Sequence, residues 1–208
     1  MFSGIVEAKS AVVSAQNRAS VVVLQVARPP QFNDLKLGDS VCINGVCLTV
    51  EVTDETVIQF ALAAETLQVT QWTLEGLRNA SLNLERSLRF GDRIHGHLVS
   101  GHVDQMGEVV GIEDLEETRF LKVAFPEEIA PCIWKKGSVT LNGVSLTVNQ
   151  VEKGVLEVCL IPETLERTNL GDLKMGDRVT MEVDMFARGL LNYFSHHQDS
   201  VQSFLNKG

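Results

Sequence analysis

The chain has 208 residues, 44% hydrophobic and 22% charged, with a formal net charge of −9. The length fits two domains of roughly 100 residues, and the composition excludes a disordered chain. The acidic balance argues against a duplex nucleic-acid partner, and no apolar run approaches the ~18 residues of a membrane span.

The first residues, MFSGIVEAK, lack a basic start followed by a long apolar stretch. The expectation is no secretory signal, a cytoplasmic location and reduced thiols. Residues 20–26 alternate as a strand, and Asn33-Asp34-Leu35 reads as a helical turn. Residues 40–50 read as a hairpin with Asn44-Gly45 as its loop, because both turn positions need positive φ. Alternation then puts Val41, Ile43, Val46, Leu48 and Val50 on a core face and Ser40, Cys42, Cys47 and Thr49 on the other. Residues 57–62 form the next strand, and 66–69 a helical turn. Farther on, 120–125 and 155–160 read as strands, with helical turns at 127–130 and 164–167. Pro162 suits the first turn of the last. Turn residues recur at spacings of about ten, as in antiparallel sheets closing into two small barrels. Residues 186–205 differ: Leu190, Leu191, Phe194, Val201 and Leu205 recur at helical spacing, as an amphipathic helix.

The chain also repeats. GDSVCINGVCLTV at 38–50 returns as KGSVTLNGVSLTV at 136–148, and AETLQVT at 64–70 as PETLERT at 162–168. Asn44 to Asn142 and Thr66 to Thr164 are each 98 positions apart. Phe2-Ser3-Gly4-Ile5-Val6 resembles Val99-Ser100-Gly101-His102-Val103. So long a period suits a duplicated domain rather than a solenoid, and two similar modules imply two similar pockets.

The second hairpin repeats the two faces, with Ser138, Thr140, Ser145 and Thr147 opposite Val139, Leu141, Val144, Leu146 and Val148. A solvated strand face usually carries Lys, Glu or Arg, but these faces carry only small neutral donors and acceptors. Either their hydroxyls satisfy nearby backbone groups, or the faces are shaped to hydrogen-bond a flat polar heterocycle. Cys42 and Cys47 are cross-strand neighbours, but a reducing compartment disfavours a disulfide. His95, His97 and His102 fall within HGHLVSGH. A metal site needs three converging ligands, and ordinary imidazoles on an inter-domain loop are the preferred reading. An acid–base role stays open, since imidazole titrates near neutrality.

These segments carry a resemblance. The start MFSGIVE, the NGVCLTV and NGVSLTV pair, GHLVSGHVD at 96–104 and LIPETLERTNLG at 160–171 resemble riboflavin synthase of the alpha-chain type, over essentially the whole chain. The resemblance implies an all-β fold: two homologous six-stranded Greek-key barrels, at 1–97 and 98–187, plus a C-terminal α-helix at 188–208 for oligomerisation. It implies a cytoplasmic homotrimer, with lumazine synthase as a further partner. The implied reaction is the dismutation of two 6,7-dimethyl-8-ribityllumazine molecules to riboflavin and a pyrimidinedione, with no metal or organic cofactor. The site would lie between the first barrel of one subunit and the second barrel of its neighbour.

Carried over by position, the N-terminal pocket takes Gly4, Ile5 and Val6, then Cys47, Leu48 and Thr49, then Ala61, Leu62, Ala63, Ala64, Glu65 and Thr66. The C-terminal pocket takes Gly101, His102, Val103 and Lys136, then Ser145, Leu146 and Thr147, then Cys159, Leu160, Ile161, Pro162, Glu163 and Thr164. Ser40, Cys47 and His102 match positions implicated in the chemistry. Ser3, His95, Gln105-Met106 and Asn142 depart from the usual family pattern without removing a pocket position. The competing reading is a non-catalytic lumazine- or flavin-binding protein of the antenna type.

Overall fold

Alternation decides the strands. In the computed structural model, which describes residues 1–196, Val22, Leu24 and Val26 are buried while the residues between them are half-buried. The strands are β1 (Ala8–Arg18), β2 (Val21–Ala27), β3 (Ser40–Ile43), β4 (Val46–Thr53), β5 (Val57–Leu62) and β6 (Ser81–Arg86). They continue as β7 (Gln105–Leu115), β8 (Thr118–Ala124), β9 (Ser138–Leu141), β10 (Val144–Glu152), β11 (Val155–Leu160) and β12 (Arg178–Val183). The first six close as β1-β2-β5-β4-β3-β6, and the second six as β7-β8-β11-β10-β9-β12. The expected pair of six-stranded Greek-key barrels is therefore present. Register shifts fall at equivalent places, at Val12/Ser14 and Val109/Gly111, and at Val50/Val52 and Val148/Gln150. Such bulges bend a strand sharply enough to close a small barrel.

Each barrel has its own core. Leu24, Phe32, Ile58, Phe60 and Leu62 fill the first, and Leu121, Leu141, Leu156, Leu160 and Met181 the second. The hairpins turn as expected at Asn44-Gly45 and Asn142-Gly143, all at positive φ. Val41, Ile43, Val46, Leu48 and Val50 are all core.

Among the described residues four α-helices follow or link strands: α1 (Ala64–Thr70), α2 (Leu74–Arg78), α3 (Pro162–Arg167) and α4 (Met185–His196). α1 and α3 contain the expected helical turns, and Glu127–Cys132 is a short 3-10 helix. One expectation needs correction, and one helix was not expected. Asn33-Asp34-Leu35 makes only a turn. α2 is a short helix the periodicity does not reveal, started by Thr73, whose hydroxyl accepts from the Gly76 amide at 3.1 Å. Of the apolar residues expected on the last helix, Leu190, Leu191 and Phe194 lie on α4 and are exposed. Val201 and Leu205 lie outside the described residues.

The barrels join about an approximate two-fold relation. Phe2 and Val99 pair in a bridge, with amide-to-carbonyl distances of 2.8 and 3.0 Å. Phe2, Val99 and Cys42 form a third apolar cluster between the barrels. The Asn44 side chain accepts from the Asn83 amide at 2.7 Å, and Asn142 from the Thr180 amide at 2.9 Å. Asn83 and Thr180 then cross over: the Asn83 amide group donates to the Asn142 carbonyl, and the Thr180 hydroxyl to that of Asn44. Asn169 adds donors to Asn44 and Ser81 at 2.9 Å each.

Phe2 is completely buried. Phe2→Ala should therefore lower stability by about 3–5 kcal/mol, as core aromatic truncations do. A reduced urea midpoint checks this. An unchanged midpoint would mean that the barrels do not depend on this plug.

Candidate functional site

The small-residue faces divide in two. On the hairpin of β3 and β4, Cys42 is buried at the junction, whereas Ser40 and Cys47 are half-buried and Thr49 is exposed. On β9 and β10, Thr140 is buried, Ser138 and Ser145 are half-buried and Thr147 is exposed. Strand pairing aligns Ser40 with Thr49 and Ser138 with Thr147. Val50 pairs with Phe60 and Val148 with Val158, so Ala61 and Cys159 lie beside these faces. Thr66 on α1 and Thr164 on α3 are half-buried at the far side. Ala63, Ala64 and Glu65, and their counterparts Ile161, Pro162 and Glu163, are exposed. Glu163 is ion-paired with Arg167. Lys136 is exposed with positive φ, where the first barrel has Gly38. Leu48, Leu62, Leu146 and Leu160 point into the barrel cores. Only their backbone groups can meet a ligand.

The segments expected to complete each face are exchanged between barrels. Gly4 and its neighbours serve the second barrel: the Gly4 carbonyl accepts from the Ser145 amide at 2.8 Å, and Val6 sits in the second core. Gly101 serves the first: its carbonyl accepts from the Cys47 amide at 2.8 Å, and Val103 packs on the first core. This corrects the assignment of Gly4, Ile5 and Val6 to the N-terminal pocket and of Gly101, His102 and Val103 to the C-terminal one. Both glycines are needed. A Cβ at Gly4 would lie 2.6 Å from Ser145 Cβ, and one at Gly101 2.7 Å from Cys47 Cβ, with φ of +73 and +78.

Two buried glutamates hold these segments. Glu85 accepts from the Ser3 amide at 2.7 Å, the Ser3 hydroxyl at 3.0 Å and the Gly4 amide at 3.0 Å. Glu182 accepts from the Ser100 amide at 2.7 Å, the Ser100 hydroxyl at 2.6 Å, the Gly101 amide at 2.9 Å and the His102 amide at 3.1 Å. The sequence reading named neither residue. Burial pushes the Glu85 carboxyl up to about 7, against the opposing pull of the Ser3, Gly4 and Ile5 hydrogen bonds.

The three expected chemical groups are not wired together: among the described residues, no hydrogen bond joins the side chains of Ser40, Cys47 and His102. His97 is the better-held imidazole. Its Nδ1 lies 2.7 Å from the Ser145 hydroxyl and its Nε2 3.3 Å from that of Thr140. Burial lowers its pKa, which favours the neutral ring. His97 thus belongs to the second barrel's face, which the sequence reading missed by grouping it with His95 and His102. All four cysteines are free. Burial above all, then Glu85 and Glu182, holds the Cys42 thiol well above its usual range, so it stays protonated. Among the described residues no three His, Cys, Asp or Glu side chains gather as a metal site, and no helix is long and apolar enough to cross a membrane.

An open cavity of about 870 Å³ lies off the first barrel, between Ile5, Asp34, Arg86, Arg89 and His95. Its charges are largely spent on one another, since Arg86 pairs with Glu7 and Asp34, and Arg89 with Asp34. On the two small-residue faces, Thr49 and Thr147 are exposed, while the His97 ring lies against Ser145 and Thr140 of the second.

The comparisons agree with this duplicated architecture. The lumazine binding domain family matches residues 3–87 and again 100–184. Riboflavin synthase of Brucella abortus is 39% identical over 199 residues, covering 90% of this chain and 95% of that protein. Riboflavin synthase of Mycobacterium bovis is 38% identical over 193 residues, with the same coverage. That of Chlamydia pneumoniae is 38% identical over 187 residues, covering 89% and 90%. Among solved structures, LumP complexed with riboflavin superposes with a TM-score of 0.80 at 20% identity, covering 88% of this chain and all of LumP. LumP complexed with 6,7-dimethyl-8-(1'-D-ribityl) lumazine gives 0.78 at 19%, covering 88% and 99%.

The Glu85 carboxyl binds its proton more tightly folded than unfolded, where its ordinary value is 4.5. Its contribution to stability is therefore greatest at low pH and falls as pH rises from about 4.5 to about 7. Urea midpoints from about pH 5 to pH 8 should show this component in the wild type and lack it in Glu85→Gln. Parallel profiles would mean that Glu85 is ionised throughout.

Proposed function

We infer a function from kinship: this chain belongs to the riboflavin synthase family, built from two lumazine-binding domains. It is an enzyme of riboflavin synthesis. The finer proposal is that it converts two 6,7-dimethyl-8-ribityllumazine molecules into one riboflavin and one 5-amino-6-ribitylaminopyrimidinedione. Four carbons pass from one lumazine to the other, with no metal or organic cofactor. One observation carries this reading: a single chain presents two equivalent faces of small donors and acceptors, one around Cys47 and Thr49, the other around Ser145 and Thr147. A reaction between two copies of one substrate needs such a pair.

In the proposed division, 1–97 and 98–187 are the lumazine-binding barrels and 188–208 the oligomerisation helix. Backbone groups at the ends of β5 and β11, with the Thr66 and Thr164 hydroxyls, read the pyrimidine edge. One lumazine loses a proton from its C7 methyl, and a nucleophile adds at C7 of the other. Cys47, Ser40 and His102 are the candidates for proton handling and adduct stabilisation. The assembly is a cytoplasmic homotrimer, with the first barrel of one chain facing the second barrel of the next. The exposed Phe186, Leu190 and Phe194 of α4 support that assembly, because an apolar stripe of this kind marks an association surface.

Chelator-treated protein incubated with the lumazine alone should form riboflavin. Cys47→Ala should lower turnover on the order of a hundredfold, the usual scale for a group handling protons in a transition state, with little change in melting temperature. An absolute requirement for a metal or nicotinamide would overturn the reaction proposed. LumP shares the fold, which keeps a binding-only reading in view. Tight lumazine binding without any riboflavin formation would favour it.

Removing residues 190–208 should give folded monomers by sedimentation that bind lumazine and no longer form riboflavin. A truncated chain that stays a fully active trimer would remove the helix from the assembly.

A further inference from the structure

We propose that Glu182 and Glu85 are positioning residues acting crosswise: the buried carboxylate of each barrel sets the residue that completes the lumazine face of the other. The proposal rests on the lumazine-binding reading above.

Glu182 stands on β12 of the second barrel. Its two oxygens take the amides of Ser100, Gly101 and His102 at 2.7 to 3.1 Å, with the Ser100 hydroxyl. That stretch lies against the first barrel, where Gly101 accepts from Cys47 and Val103 packs on the core. His102 sits between them and is exposed. Glu182 thereby fixes the backbone of His102, the residue that follows the Gly101 carbonyl bonded to Cys47. Glu85 on β6 repeats the arrangement in the opposite sense. It fixes Ser3 and Gly4, whose continuation Ile5-Val6 lies against the second barrel beside Ser145. Ile5 is 44% exposed.

Both oxygens of each carboxylate meet donors. A glutamine has the same shape, yet in either amide orientation its NH2 would face a backbone N–H. The ionised carboxylate accepts on both arms, so Glu→Gln is a sharp probe when read above about pH 7, where Glu85 is ionised. The clamped residues differ, histidine on the first barrel and isoleucine on the second. One clamp geometry thus delivers a titratable group to one face and an apolar one to the other.

The test is a set of mutant cycles on the full-length protein. Riboflavin binding is followed by quenching of riboflavin fluorescence and fitted as two sites. Glu182→Gln should weaken one site about tenfold, the scale of a lost charged hydrogen bond. In a His102→Ala background it should add less than about twofold, and in an Ile5→Ala background it should keep its full effect. Glu85→Gln should weaken the other site, with the backgrounds exchanged. Equal effects of Glu182→Gln in both backgrounds, or loss at both sites together, would make the glutamates mere junction stabilisers and overturn the proposal. Where Glu182→Gln fails to fold, Ser100→Ala, which deletes the hydroxyl donor to Glu182 and a long contact from Arg188 while leaving the three clamped amides, should give a smaller loss with the same dependence on His102. Its independence of His102 would likewise overturn the proposal. Wild-type protein that binds neither riboflavin nor the lumazine would instead sink the functional reading on which the proposal stands.

Discussion

Two carboxylates with almost no access to water sit at the junction of the barrels, and the rest of the arrangement depends on them. A buried charge is costly unless polar groups converge on it. Here the compensation comes from the backbone, with amides of Ser3 and Gly4 turned towards Glu85 and of Ser100, Gly101 and His102 towards Glu182. To present consecutive amides to one side chain, the chain must turn sharply at Gly4 and Gly101. Those turns carry Gly4 O to Ser145 and Gly101 O to Cys47. Electrostatic satisfaction of one residue thus dictates which barrel each segment touches. The Phe2–Val99 bridge and the asparagine network around Asn44, Asn83, Asn142 and Asn169 then lock the two halves at that register.

This explains what was legible in the sequence. The hairpins were, because Asn-Gly and strict alternation are local signals, and the core faces of β3, β4, β9 and β10 followed. The duplication was legible as well. It says that two modules are alike and is silent on which module each connecting segment serves. The exchange of Gly4 and Gly101 is made by main-chain bonds between residues far apart in sequence, with no side-chain signature. Glycine followed by an apolar or His residue reads the same whichever barrel it leans on.

The glutamates were missed for a related reason. Glu85 follows Leu84 and Glu182 stands between Met181 and Val183, and a lone charged residue in a strand is read as solvated. The recoverable signal was their spacing: they recur 97 positions apart, as do Ser3 and Ser100, whose amides they accept. Cys42 illustrates the limit of alternation. Period two places it on the face of Cys47, yet that face splits between the junction and the open surface, and only the packing of Phe2 and Val99 decides where. His97 was hidden by its neighbours. Three histidines in eight residues (95–102) read as ordinary imidazoles on an inter-domain loop, whereas the His97 ring in fact reaches Thr140 and Ser145.

In the proposed reaction two like molecules would act as unlike partners only if their sites differ, and duplication supplies likeness rather than difference. The fold keeps the scaffold equal through matched bulges, matched hairpins and matched carboxylates. It concentrates inequality in a few positions around the faces. Cys47 stands against Ser145, His102 against Ile5, and Gly38 against Lys136. The Ser145 hydroxyl meets the His97 ring, whereas the Cys47 thiol makes no hydrogen bond among the described residues. Thiol plus an exposed imidazole on one barrel, and hydroxyl plus a half-buried neutral imidazole on the other, give two faces of the same shape with different proton inventories. The difference lies in side chains at a shared backbone, so it changes chemistry without disturbing the closure of either barrel.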